Sequence, residues 1–306
     1  MAMVTPLQLV GNTPLLALER CHTGPGRLLA KAEFMMPGGS VKDRAALAIL
    51  RAARADGRLK PGQTVVEMTS GNMGAGLAVV CAALGHPFVA TMSAGNSPAR
   101  AVMMEGLGAR VVLTPQVDGA PGQVTGADIA AATAEAQRIA REERAFYVDQ
   151  FNAAEGIAAH EVTGAEILRQ AGHVDAFVAA VGTGCTFIGI ARALKVANPA
   201  TLCAPVEPEG SEPLMGKPVV KPRHLLQGTS YGLVPPHWDA GLVDFGMTVS
   251  DEEVTDWKAR LATREGLYVG YSAAANVCAA SRLLSSGRLR EGATVLTVLC
   301  DTGLKY

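Results

Sequence analysis

A lysine stands in the glycine turn Pro37-Gly38-Gly39-Ser40-Val41-Lys42-Asp43-Arg44. The pattern predicts a turn that opens a helix, with Ser40 as N-cap and Asp43, three residues on, completing a capping box. Ala45, Ala46, Leu47, Ile49 and Leu50 carry the helix on. Lys42 then falls in the first helical turn, where the positive end of the helix dipole disfavours a cation. A lysine that sheds its proton serves as a Schiff-base nucleophile and as a general base. On the octapeptide alone, a surface lysine after an ordinary cap is the simpler account.

Two further turns could hold anions. Thr69-Ser70-Gly71-Asn72-Met73-Gly74 lies between a strand pattern and a helix pattern, so its amides and small hydroxyls converge on one place. A carboxylate or a phosphate would fit there. Gly182-Thr183-Gly184-Cys185-Thr186 is a second strand–loop–helix turn of this kind. It half-matches a dinucleotide fingerprint, with Glu207 near the ribose-binding offset, which would suit a nucleotide-binding oxidoreductase. Phe187 occupies the third glycine position of that fingerprint, so a single phosphate at the helix start is the better reading. Ser272, after Gly270-Tyr271, reads as an N-cap. The six histidines share no metal-ligand spacing, the six cysteines form no C-x-x-C pair, and no G-x-S-x-G elbow is present.

The elements that must position these residues alternate. Strand patterns are predicted at 27–33, 64–68, 88–92, 109–113 and 145–148, with helices over 41–55, 73–84, 98–107 and 127–143 between or beside them. The second half repeats the scheme, with helices over 153–170, 187–196, 251–264 (capped by Ser250) and 272–284, and strands at 175–181, 201–206 and 293–300. This alternation implies right-handed βαβ units and parallel sheets. Residues 207–236, rich in Pro and Gly, read as a long functional loop. The expected class is α/β, as two domains, each a mostly parallel open sheet flanked by helices, with ligands bound in the cleft between them. The expected division is an N-terminal segment 1–38 packing with the larger domain, a smaller mobile domain 39–149, and a larger domain 150–306.

Composition narrows the partners. The chain has 306 residues, 49% hydrophobic, and 27 basic against 28 acidic residues. Near-neutral charge gives no polyanion-binding surface, so nucleic acid is not an expected partner. No run reaches the roughly 18 apolar residues that span a bilayer. Scattered cysteines and the absence of a signal-like N-terminus point to the cytoplasm.

An activated lysine and two anion turns suggest one ligand class. Pyridoxal phosphate needs an amine for its aldehyde and a cradle for its phosphate, and an amino-acid substrate adds a carboxylate. The chain resembles the cysteine synthase and cystathionine β-synthase family of fold-type II pyridoxal-phosphate enzymes, whose fold is like that of the tryptophan synthase β-subunit. Gly11-Asn12-Thr13-Pro14-Leu15, Gly39 to Arg44, Thr69 to Asn72, Gln150-Phe151, Thr163-Gly164, Gly182-Thr183-Gly184, Gln227-Gly228, Gly270-Tyr271-Ser272 and Asp301-Thr302-Gly303 carry the likeness, almost end to end. The resemblance implies that Lys42 forms the internal aldimine and that Asn72 bonds the cofactor's ring oxygen. It implies that Gly182, Thr183, Gly184, Cys185 and Thr186 cradle the phosphate, and that Ser272 faces the pyridine nitrogen. Thr69, Ser70, Gly71, the backbone of Met73, and Gln150 would hold the substrate carboxylate, with Gly228 also at the substrate. No metal is implied.

The implied reaction is cysteine synthase-like β-replacement on an O-acetylserine-like β-substituted L-alanine, through an aminoacrylate, by a homodimer that meets only small molecules. A neutral serine at the pyridine nitrogen suits β-substituent loss over transamination. Alternatives on the same scaffold are a different thiol or amine nucleophile, or elimination of the desulfhydrase or dehydratase kind. Departures from the family bear on the substrate. Met73 replaces a usual threonine, Cys185 and Ala274 replace glycines, Ala153-Ala154 replaces Asn-Pro, and Ala99 stands where glutamate is usual.

Overall fold

The computed structural model describes residues 4–24, 26–122, 124–230 and 232–306. In chain order the regular elements begin with β1 (Leu15–Ala17), β2 (Arg27–Lys31), α1 (Lys42–Ala55), β3 (Val65–Met68), α2 (Asn72–Leu84), β4 (Phe88–Ser93) and α3 (Pro98–Gly106). There follow β5 (Arg110–Thr114), α4 (Gly126–Glu142), β6 (Phe146–Tyr147), α5 (Glu155–Ala171), β7 (Ala176–Ala180) and α6 (Cys185–Ala197). The last are β8 (Leu202–Pro208), β9 (Met247–Val249), α7 (Asp251–Arg260), α8 (Tyr271–Ser285) and β10 (Thr294–Val298).

Two compact units divide the chain. The first holds the described part of Met1–Val10, Met36–Gly156 and Lys305; the second holds Gly11–Met35, Ile157–Leu304 and Tyr306. The expected 1–38 segment therefore does not act as one block. Residues 11–35 go with the second unit because β2 pairs in parallel with β10, Arg27 opposite Thr294. The division also falls later than residue 149. Asp149 N and Gln150 Nε2 donate to the buried Glu67 carboxyl group of β3, which ties 149–150 to the first unit.

The first unit is built on a four-stranded parallel sheet in the order β5-β4-β3-β6. Val65, Val66, Phe88, Val89 and Ala90 are buried, as expected of parallel strands covered on both faces. In such sheets ligand sites form beyond the carboxyl ends of the strands. The turn Thr69–Gly71 leaves β3 at that end and feeds α2.

The second unit carries a six-stranded sheet, β1-β2-β10-β7-β8-β9, parallel except for the antiparallel edge pair β1–β2. The alanines of α8 (Ala273, Ala274, Ala275, Ala279, Ala280) are fully buried and let the helix lie close on the sheet. The short strands β1 and β9 carry too little alternation to be read from sequence. The helix predicted over 251–264 is α-helical only to Arg260. It then widens into a π turn, Leu261–Glu265, closed by Gly266.

Candidate active site

Lys42 is the first residue of α1 and is half-buried. Among the described residues its ε-amine has no hydrogen-bond or ion-pair partner. The expected capping box is not formed. Val41 is the N-cap; the Ser40 hydroxyl accepts only from Lys42 N, at 3.3 Å. The Asp43 carboxylate reaches past Ser40 to the Gly38 N–H, at 2.5 Å, because the two-glycine turn folds back over the helix start. That bond closes the turn around the root of Lys42.

The turn after β3 holds the second set. The Thr69 hydroxyl accepts from Gly74 N at 3.0 Å, which leaves its own proton to donate. Arg100 of α3 donates to Ser70 O at 3.2 Å. Asn72 is the first residue of α2, and its Oδ1 accepts from Lys305 Nζ at 2.8 Å. The same ammonium donates to Gly38 O at 2.6 Å, so it joins the Asn72 turn to the Lys42 turn. Met73 is 3% exposed and packs in the apolar core of this unit, so only its backbone serves the turn. Gln150 Nε2 donates to Glu67 Oε1 at 3.2 Å and to Met68 O at 3.3 Å. Its amide nitrogen is thus engaged by β3. Burial pushes the Glu67 carboxyl up to about 8, against the hydrogen bonds from Gln150 and Asp149.

In the second unit, β7 delivers Gly182–Gly184 to the start of α6. Gly184 is the N-cap with φ 93°, and the first amides of α6 lack carbonyl partners within the helix. A Cβ on Gly182 would lie 2.6 Å from Gly228 O, so the 228 loop closes directly on the anion turn. Thr186 Oγ1 lies 3.2 Å from His160 Nε2, and His160 Nδ1 lies 3.2 Å from Thr163 Oγ1. Ser272 is the second residue of α8 rather than its cap, which is Gly270. One turn on, Asn276 Oδ1 accepts from Ala180 N at 2.7 Å, and this draws the start of α8 toward the anion turn at the end of β7. The Ser272 hydroxyl has no partner among the described residues. The dinucleotide alternative fails here. Phe187 is buried against Phe177, ring centroids 5.4 Å apart, and Glu207 is fully buried with Oε1 accepting from Leu214 N.

Sequence reasoning did not single out Glu67, His160 or Lys305. Each acts through a neighbour across the fold rather than through a local motif. The Gly11–Leu15 stretch proves structural. Asn12 N donates to Glu166 Oε1, the Thr13 hydroxyl donates to Glu33, and Thr13 O accepts from Lys31 Nζ.

Residues 6–301 match the family model described as pyridoxal-phosphate dependent enzyme. The chain belongs to that family. Its cofactor is pyridoxal 5′-phosphate. A cysteine synthase of Staphylococcus aureus strain Mu50 is 36% identical over 303 residues, covering 98% of this chain and 94% of the relative. The crystal structure of O-ureido-L-serine synthase superposes with a TM-score of 0.90 at 34% identity, covering 100% of this chain and 94% of that one. The O-acetylserine dependent cystathionine beta-synthase of Helicobacter pylori gives 0.86 at 31% identity, covering 100% and 97%. The donor set suits the cofactor. Lys42 offers an uncommitted amine for an aldehyde, and the Gly182–Thr186 turn offers helix-start amides for a phosphate. Among the described residues no helix is long and apolar enough to cross a membrane, and no cluster could hold a metal.

Proposed function

We propose that this chain catalyses pyridoxal-phosphate-dependent β-replacement on an O-acetylserine-like β-substituted L-alanine. The observation that carries the reading is the uncommitted ε-amine of Lys42 at the start of α1. It contrasts with Lys31, which is fully buried and ion-paired to Glu166 at 2.9 Å. Bound pyridoxal phosphate supplies an electron sink for the α-carbon of an amino acid. Lys42 would supply the amine for its aldehyde and, as a free amine, would take the substrate's α-proton on Nζ. The amides and hydroxyls of Gly182, Thr183, Gly184, Cys185 and Thr186 serve the phosphate, and Asn72 the ring oxygen. Thr69, Ser70, Gly71 and the Met73 amide serve the substrate carboxylate. In this reading Gln150 keeps the turn in place through Glu67 instead of binding the carboxylate itself. Ser272 offers the pyridine nitrogen a neutral hydroxyl, which cannot hold that nitrogen protonated.

The relatives named above are called after different β-substituted alanines, so the nucleophile is a small thiol, amine or oxygen compound. The homodimer and the cytoplasmic setting rest on the resemblance alone. Borohydride reduction of the loaded protein, followed by proteolysis and mass spectrometry, should find the cofactor on the peptide carrying Lys42. Lys42→Ala should abolish acetate release from O-acetylserine. Label on Lys31 or Lys60 instead would overturn the assignment.

A further inference from the structure

Pyridoxal phosphate carries its aldehyde carbon and its phenolic oxygen on adjacent ring carbons, so the protein groups that serve them must be neighbours. The first unit makes them so. α1 and α2 cross where a Cβ on Gly76 would lie 3.2 Å from both N and Cα of Asp43. Lys42 directly precedes Asp43, and Asn72 lies four residues before Gly76, on the same face of α2. The lysine amine and the asparagine amide therefore start from one helix crossing.

Lys305 packs with this unit and bonds to both turns. Its Nζ donates to Asn72 Oδ1 at 2.8 Å and to Gly38 O at 2.6 Å. An ammonium only donates, so the Asn72 amide must turn its oxygen to Lys305 and its NH2 the other way. The two ends of a primary amide are nearly equal in shape, and the hydrogen-bond network decides which of them faces a ligand. A ring oxygen that accepts hydrogen bonds needs the NH2 end; an amide oxygen in its place would repel it. The second bond anchors the cation itself. Gly38 N is already held by the Asp43 carboxylate at 2.5 Å, and a side chain on Gly38 would collide with that carboxylate. Gly38 O is thus a fixed acceptor, and it fixes the ammonium beside Asn72.

We infer that Lys305 is a positioning residue of the cofactor site, which holds the Asn72 amide with its NH2 toward the cofactor's ring oxygen. A donor on that oxygen favours its ionised form. With the aldehyde joined to a lysine amine, the ionised form absorbs in the visible and the neutral form in the near ultraviolet. Loss of Lys305 should therefore change the colour of the loaded protein, which a merely structural role would not do. This inference rests on the proposed pairing of Asn72 with the ring oxygen.

The test compares the loaded parent with Lys305→Met, Lys305→Arg, Asn72→Ala and the double variant that combines Asn72→Ala with Lys305→Met. Melting temperature, the ratio of the visible to the near-ultraviolet cofactor band, and the dissociation constant of pyridoxal phosphate are recorded for each. Lys305→Met should move absorbance from the visible to the near-ultraviolet band and bind the cofactor about tenfold more weakly, the value of one hydrogen bond. Lys305→Arg, which still donates and cannot accept, should keep most of the visible band. On top of Asn72→Ala, Lys305→Met should change the band ratio no further, because the amide that it orients is gone. Lys305→Ala decides the matter if the methionine variant does not fold. A parent-like ratio in Lys305→Met, beside an altered one in Asn72→Ala, would overturn the inference and leave Asn72 in its role. So would an equal change with and without the Asn72 amide, which would assign Lys305 to the Gly38 turn or to packing. Asn72→Ala with the parent's spectrum and affinity overturns the pairing of Asn72 with the ring oxygen, and this inference with it.

Discussion

At the scale of single residues, Met73 shows how position and side chain can carry different messages. Its place in the anion turn invites a substrate role, and the family's usual threonine there invites a comparison of hydroxyl against thioether. The side chain is nevertheless 3% exposed and packs in the apolar cluster that also holds Leu77, Met92 and Met104. Met73→Thr should therefore act first on stability. Removing buried methylenes and enclosing a hydroxyl should cost about 2–4 kcal/mol. A denaturant titration reads this directly. A variant as stable as the parent, with a changed preference among β-substituted alanines, would return Met73 to the substrate. Lys42 and Ser272 are the opposite case. Among the described residues their side chains have no hydrogen-bond or ion-pair partner, as groups that meet a ligand should.

Between elements, the clearest single tie is a buried charge pair. Lys31 on β2 is fully enclosed and meets Glu166 at 2.9 Å and Gln170 Oε1 at 2.9 Å, both on α5, as well as Thr13 O at 2.6 Å. Removing one partner leaves the other charge buried and uncompensated. Lys31→Met should cost about 3–5 kcal/mol, and adding Glu166→Gln should recover part of it, because a neutral amide needs no counter-charge. Urea unfolding of the single and double variants checks this; a Lys31→Met midpoint equal to the parent's would refute it. The pair also marks what the sequence could and could not disclose. The βα alternation was legible because apolar periodicity is local, and the two anion turns because glycine and small hydroxyls must cluster between a strand and a helix. Lys31 read as an ordinary strand residue and Glu166 as an ordinary helix residue, since their meeting is decided by β2 joining the sheet beside β10. The helix caps misread at Ser40 and Ser272 failed for a related reason. A serine that could cap is displaced when glycine-rich backbone lets the helix begin one or two residues away.

At the scale of the whole molecule, two buried acids set a pH response against the usual one. Burial raises Glu67 from 4.5 to about 8 and Glu207 from 4.5 to about 7. In each case the folded state keeps a proton that the unfolded chain gives up above 4.5. Their contribution to stability is complete below that value and is lost as pH rises through the folded pKa. Other carboxyls act in the opposite direction. Burial pulls Asp175 up, but Thr294 N and the Arg290 guanidinium outweigh it and hold the carboxyl below its usual range. That stability is lost as pH falls. Unfolding free energy should therefore peak in mildly acidic solution and decline toward pH 8, with neutral His224 partly offsetting the decline because its lowered pKa favours folding as pH rises. Glu67→Gln isolates the first acid. The glutamine loses one hydrogen bond, since it keeps one carbonyl oxygen for the two donors Asp149 N and Gln150 Nε2 and its NH2 can only donate. In acid the variant should be the less stable protein. Its stability relative to the parent should then climb by about 2 kcal/mol or more between mildly acidic and mildly alkaline solution, each unit of pKa shift being worth about 1.4 kcal/mol. Urea unfolding of both proteins across that range measures the difference. A parent-minus-variant stability that stays constant with pH would mean that Glu67 is ionised in the folded state at neutral pH, and that the tie from β3 to Gln150 is made by a carboxylate.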